Sequence, residues 1–60
     1  MSLARLLTYK DVAELLGLSV VAVKELRRNG SLSYVRVSER VIRFREQDII
    51  QFIEDRHFGE

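Results

Sequence analysis

TYKDVAELLGLSVVAVKELRRNGSL, from Thr8 to Leu32, reads as two short helices joined by a tight Gly17-Leu18-Ser19 turn. Thr8 and Asp11 stand at the spacing of a capping box, which satisfies free amides at a helix start, and Leu7 with Val12 completes a hydrophobic staple. Val12, Leu15 and Leu16 then recur at helical spacing up to Gly17, a residue free to take the left-handed conformation that ends a helix. The first helix is therefore expected at about residues 9–16. Ser19 is the next N-cap, with Leu18 and Val23 as its staple, and Asn29-Gly30 offers a second left-handed stop. That places the second helix at about residues 20–28. So short a connection forces a sharp angle between the two, with Val23 and Leu26 packed back onto Val12, Leu15 and Leu16. The pattern is that of a helix-turn-helix.

After Gly30 the period changes from helical to alternating. Val35 and Val37 fall on one face of a strand, and Tyr34 and Arg36 on the other. Ser38-Glu39-Arg40 reads as the turn. On the returning strand Ile42 and Phe44 point inward while Val41, Arg43 and Arg45 point outward, giving a hairpin at about residues 34–45 with an apolar face and an arginine-rich face. A last helix is expected at about residues 46–56, with acids in its first turn to suit the helix dipole and Ile49, Phe52 and Ile53 as its core-facing stripe. Its N-cap position falls on Arg45, which cannot accept an amide bond. The expected fold class is α+β, a winged helix-turn-helix in the order helix-helix-hairpin-helix, with residues 1–60 forming a single domain.

The net charge of +1 conceals an uneven distribution. Between Lys24 and Arg45 stand seven basic residues against only Glu25 and Glu39, whereas from Glu46 onward five acidic residues face Arg56 alone. A basic cluster that coincides with a helix-turn-helix and a hairpin is the footprint of a polyanion-binding surface, against the plain alternative of a solvated, mixed-charge one. For the acidic stretch the solvated reading is the simpler.

Several function classes are disfavoured by what the chain lacks. No cysteine is present for a thiolate zinc site, the only histidine, His57, is expected in the tail so that no serine, histidine and acid combine within an ordered core, and no glycine-rich phosphate loop occurs. No enzymatic activity, metal, cofactor or small-molecule ligand is expected. Asp48, Glu54 and Asp55 read as surface carboxylates, and Tyr9 and Tyr34 as packing or edge residues. Residues 1–7 are too short for an apolar targeting core, no run approaches a membrane span, and cysteine-free composition fits a reducing compartment, so a cytoplasmic protein acting on DNA is expected.

VAELLGLS, the Val23…Leu26…Gly30…Leu32 spacing, the strand VRV at Val35 to Val37 and RFREQDIIQFI from Arg43 to Ile53 together resemble the small winged-helix excisionases. These are also called recombination directionality factors and include short ones from mycobacteriophages; the wider relatives are MerR-like DNA-binding modules. The resemblance covers nearly the whole chain. It implies a protein that binds direct repeats in double-stranded DNA near a phage attachment site, cooperatively with other copies of itself. It also implies that the protein bends that DNA and steers a tyrosine integrase toward excision of the phage DNA.

By the same resemblance the second helix enters the major groove and the wing reaches the adjacent minor groove. Lys24 and Arg28, four apart, are then candidates for guanine edges or phosphates, and Arg27 for a phosphate. Ser19 serves as a cap first, with its helix terminus also able to hold a phosphate. Arg40 is the candidate for the minor groove, with Arg36 and Arg43 on flanking phosphates. Val20 and Val21 stand where relatives carry polar residues; they can meet thymine methyl groups, or one of them can pack against a neighbouring element. Glu25 is expected to pair with Arg28 rather than to read cytosine. A MerR-like regulator would normally add a dimerising helix and an effector domain, and a terminase small subunit more chain for assembly. A protein-interaction module would use Leu3, Leu6, Ile50 and Phe58 as a partner face.

Overall fold

The computed structural model describes residues 5–57. In chain order it holds β1 (Leu6–Leu7), α1 (Tyr9–Leu16), α2 (Val20–Arg28), β2 (Val35–Ser38), β3 (Val41–Arg45) and α3 (Glu46–Asp55). This is the α+β winged helix-turn-helix, with one element that periodicity does not announce. β1 pairs antiparallel with β3, Leu6 opposite Arg45 and Leu7 opposite Phe44, so that β3 becomes the central strand of a three-stranded sheet in the order β1-β3-β2.

Local chemistry accounts for the helix boundaries. The Asp11 amide donates to Thr8 Oγ1 at 3.1 Å and the Thr8 amide donates to the Asp11 carboxylate at 3.0 Å, a complete capping box. The Thr8 amide, and then the Thr8 hydroxyl, hold the Asp11 carboxyl below its ordinary value. The Ala22 amide donates to Ser19 Oγ at 3.1 Å. Both helices end on the same device. Gly17 and Gly30 take φ of +69° and +84°. The amides of Leu18 and Ser31, one residue beyond them, each donate 2.9 Å back to the carbonyls of Ala13 and Leu26. At Arg45, by contrast, no side chain caps α3. Instead its guanidinium grips the Asp48 carboxylate with two bonds, at 2.8 and 3.1 Å, a hydrogen bond that also raises the Arg45 pKa.

Leu7, Val12, Ala13, Val23, Leu32, Ile42, Phe44 and Ile49 form the core, with Phe44, Val12 and Val23 fully buried. The expected stripes are corrected at their margins. Successive helix residues turn by roughly 100°, which puts Tyr9, Val12, Ala13 and Leu16 on one face of α1 and Leu15 about 110° away from it. Leu15 is accordingly 62% exposed. Ile53, at the edge of the α3 stripe, is 49% exposed, and Leu26 is only half-buried against the core.

The hairpin departs from strict alternation. Arg36 lies opposite Ile42 and Ser38 opposite Val41, so Val37 is an extra residue, a bulge, and it is exposed. The turn shortens to Glu39-Arg40, with Ser38 still in the strand. Directly opposed residues share a sheet face, so Arg36 stands on the inner face with Ile42 while Arg43, opposite Val35, stands on the outer one. The single arginine-rich face read from alternation is thus divided between two faces. A pairing offset of one residue reverses a strand's faces, and sequence periodicity does not fix that offset.

Candidate nucleic-acid interface

α2 and the wing enclose an open cleft of about 280 Å³ lined by Tyr9, Lys24, Arg27, Arg28, Arg36, Glu39, Arg40 and Ile42. Five of the candidate residues therefore converge although they come from two different elements: Lys24, Arg27 and Arg28 from α2, and Arg36 and Arg40 from the wing. One acid, Glu39, shares the lining. Like charges gathered in a concavity reinforce one another's field, and such a cleft attracts polyanions from a distance.

Each cation is held differently. Lys24 Nζ lies 5.6 Å from the centre of the Tyr9 ring, which itself packs edge-on against Phe44 at 5.3 Å. Arg27 stacks on Tyr34 at 5.1 Å. Arg28 reaches Glu25 at 3.9 Å, the expected pairing across one helical turn, and both side chains remain largely exposed. Arg36 Nη1 donates 3.1 Å to the Glu39 carbonyl and so braces the wing turn. Arg40, at the tip, has no ion pair or hydrogen bond among the described residues.

The remaining candidates sit elsewhere. Val21, 71% exposed, shares the outward face of α2 with Lys24 and Arg28. Val20 packs against the core, so the two valines have different surroundings. Ser19 caps α2 through the Ala22 amide. Arg43 lies on the outer sheet face, half-buried, with its guanidinium donating 2.8 Å to the Ile42 carbonyl, and it does not line the cleft. The two tyrosines beneath Lys24 and Arg27 read from sequence as packing or edge residues, and their cation contacts add to that role. An aromatic ring set against a cation leaves no periodic signal, because the contact joins different elements.

On another side of α1 lies an apolar groove of about 210 Å³, bounded by Leu7, Leu15, Glu46, Ile49, Ile50 and Ile53. Of the expected partner face, Ile50 is exposed here and Leu6 is exposed on β1, while Leu3 and Phe58 lie outside the described residues. Among the described residues no acidic or histidine cluster could hold a metal ion, and no helix is long and apolar enough to cross a membrane.

A family model described as a helix-turn-helix domain matches residues 6–57. No curated protein and no solved structure matches the chain.

Proposed function

This chain belongs to the helix-turn-helix domain family, a family of DNA-binding folds, and on that premise we propose that it is an architectural DNA-binding protein of the excisionase kind. The convergence of five cations on one cleft carries the reading. Val21, Lys24 and Arg28 enter the major groove on the outward face of α2. The wing tip carries Arg40 into the neighbouring minor groove, where a narrow, A·T-rich stretch draws a guanidinium. Arg27 and Arg36 hold phosphates between them and set the register.

A single module of this kind buries roughly 600–1,000 Å² on DNA, too little to select one site in a genome, so several copies bind repeated sites cooperatively. The groove between α1 and α3 supports this, because it leaves Leu15, Ile50 and Ile53 uncovered away from the cleft. The assembled, bent DNA then steers a tyrosine integrase toward excision, as the resemblance to the excisionases implies.

A gel-shift titration on attachment-site DNA, beside a scrambled duplex of equal length, tests this. Salt-sensitive laddering on the specific fragment alone is the expected result. Equal shifts on both duplexes would remove the excisionase reading and leave only non-specific DNA binding; no shift on either would remove both.

A further inference from the structure

We propose that Tyr34 is a positioning residue for the DNA contact, holding the Arg27 guanidinium in the cleft before DNA arrives; the inference rests on the DNA-binding reading above. Three observations combine. The Arg27 guanidinium carbon sits 5.1 Å from the Tyr34 ring centre, within cation–π range. The Arg27 Nε is buried without a hydrogen-bond partner among the described residues, while the side chain as a whole still lines the cleft. Tyr34 immediately precedes β2 and is itself 39% exposed, outside the core cluster.

A free arginine ordinarily swings its head into water, where all five N–H groups are satisfied. Here the ring face holds the head and its Nε is sealed, so only the terminal nitrogens remain to meet a ligand, and they do so from a fixed position. The other cleft cations lack this combination: Arg28 is tied loosely to Glu25 at 3.9 Å, and Arg40 has no partner among the described residues. Lys24 over the Tyr9 ring and Arg36 on the Glu39 carbonyl are also held, but among the described residues Arg27 alone joins a ring contact to a sealed nitrogen, and so is the pre-oriented arginine. Because DNA binding then need not freeze this side chain, the ring saves the ordering entropy that an unheld arginine would lose.

The contribution comes from the ring face and not from the hydroxyl, which gives a sharp test. Affinity for a fluorescein-labelled, mixed-sequence duplex is measured at low salt by anisotropy for the unaltered chain, Tyr34→Phe, Tyr34→Leu, Arg27→Ala and the Tyr34→Leu/Arg27→Ala pair. Tyr34→Leu is expected to weaken binding roughly 2- to 10-fold, the range for freeing one long side chain, with helix content by circular dichroism unchanged. Tyr34→Phe should bind like the unaltered chain, and Tyr34→Leu should cost nothing further once Arg27 is Ala. Independent, multiplying effects of the two changes, or a Tyr34→Phe as weak as Tyr34→Leu, overturn the proposal. If Tyr34→Leu fails to fold, Tyr34→Met replaces it in the same cycle. Failure of the unaltered chain to bind any duplex removes the DNA reading itself, and that is seen before any variant is compared.

Discussion

Raising salt is the perturbation that interrogates the cleft most directly. Lys24, Arg27, Arg28, Arg36 and Arg40 line it, and each of these cations, whether it meets a phosphate or enters a groove, neutralises backbone charge and releases condensed counterions from the duplex. At about 0.9 per contact, five contacts give a slope of log affinity against log salt near −4.5, so a fourfold rise in salt weakens binding by about 500-fold. The sheet register refines the expectation. Arg40→Ala should flatten the slope by about 0.9, whereas Arg43→Ala should leave it unchanged, because Arg43 faces away from the inner sheet surface that carries Arg36. Anisotropy titrations of the three proteins across a salt series give the slopes. A flat response in the unaltered chain would refute the cationic cleft as the binding surface, and an Arg43→Ala slope as shallow as that of Arg40→Ala would refute the assignment of faces.

Core, turn and cap make further predictions. Phe44→Ala should cost about 3–5 kcal/mol, a third or more of the roughly 3–9 kcal/mol expected of a domain this size, and shift the thermal melt by circular dichroism far downward. Leu26→Ala, at a half-buried position, should melt lower but remain folded; a Leu26→Ala chain with no cooperative melt would contradict its place at the core margin. Gly17→Ala meets no neighbour within 4 Å, so its loss of about 1–2 kcal/mol comes from the left-handed backbone alone. Thermal melts of Gly17→Ala and Gly17→Asn, the latter more tolerant of that conformation, check this. The Asp11 carboxyl titrates lower in the folded chain than in the unfolded one. The stability it contributes is therefore present above the ordinary carboxylate value and is lost as pH falls through the folded value. Asp11→Asn should remove that part of the acid dependence in melts recorded from neutral to acidic pH.

What could be read from residues alone was whatever is decided within a few positions of the chain. Thr8 and Asp11, Ser19, Gly17 and Gly30 act on their own neighbours, and the helices begin and end where those residues direct. Ile42 and Phe44 are inward because strong alternation on a central strand leaves no other choice. Features that need a second segment were not legible. Two residues, Leu6 and Leu7, are too few to show a strand period, and they become a strand only through β3. The exposure of Ile53 depends on α1 and α3 leaving a groove between them, whereas that of Leu15 follows from its angle on α1. The charges of the cationic cleft are legible as a list, but its membership turns on the pairing offset at Val37, which brings Arg36 to the inner face beside Ile42 while Arg43 stays on the outer one.

The bulge at Val37 also bears on how this chain behaves when crowded. With β3 in the centre, β1 and β2 form the two borders of the sheet, and an unpaired strand border is a template on which further chains can add. β1 offers only two residues. β2 is longer, but its row of peptide groups is broken at Val37 and flanked by the charges of Arg36 and Arg40, so an incoming strand meets a misaligned ladder and electrostatic repulsion. Deleting Val37 would straighten that border and leave the charges of Arg36 and Arg40 as its remaining guard against an added strand.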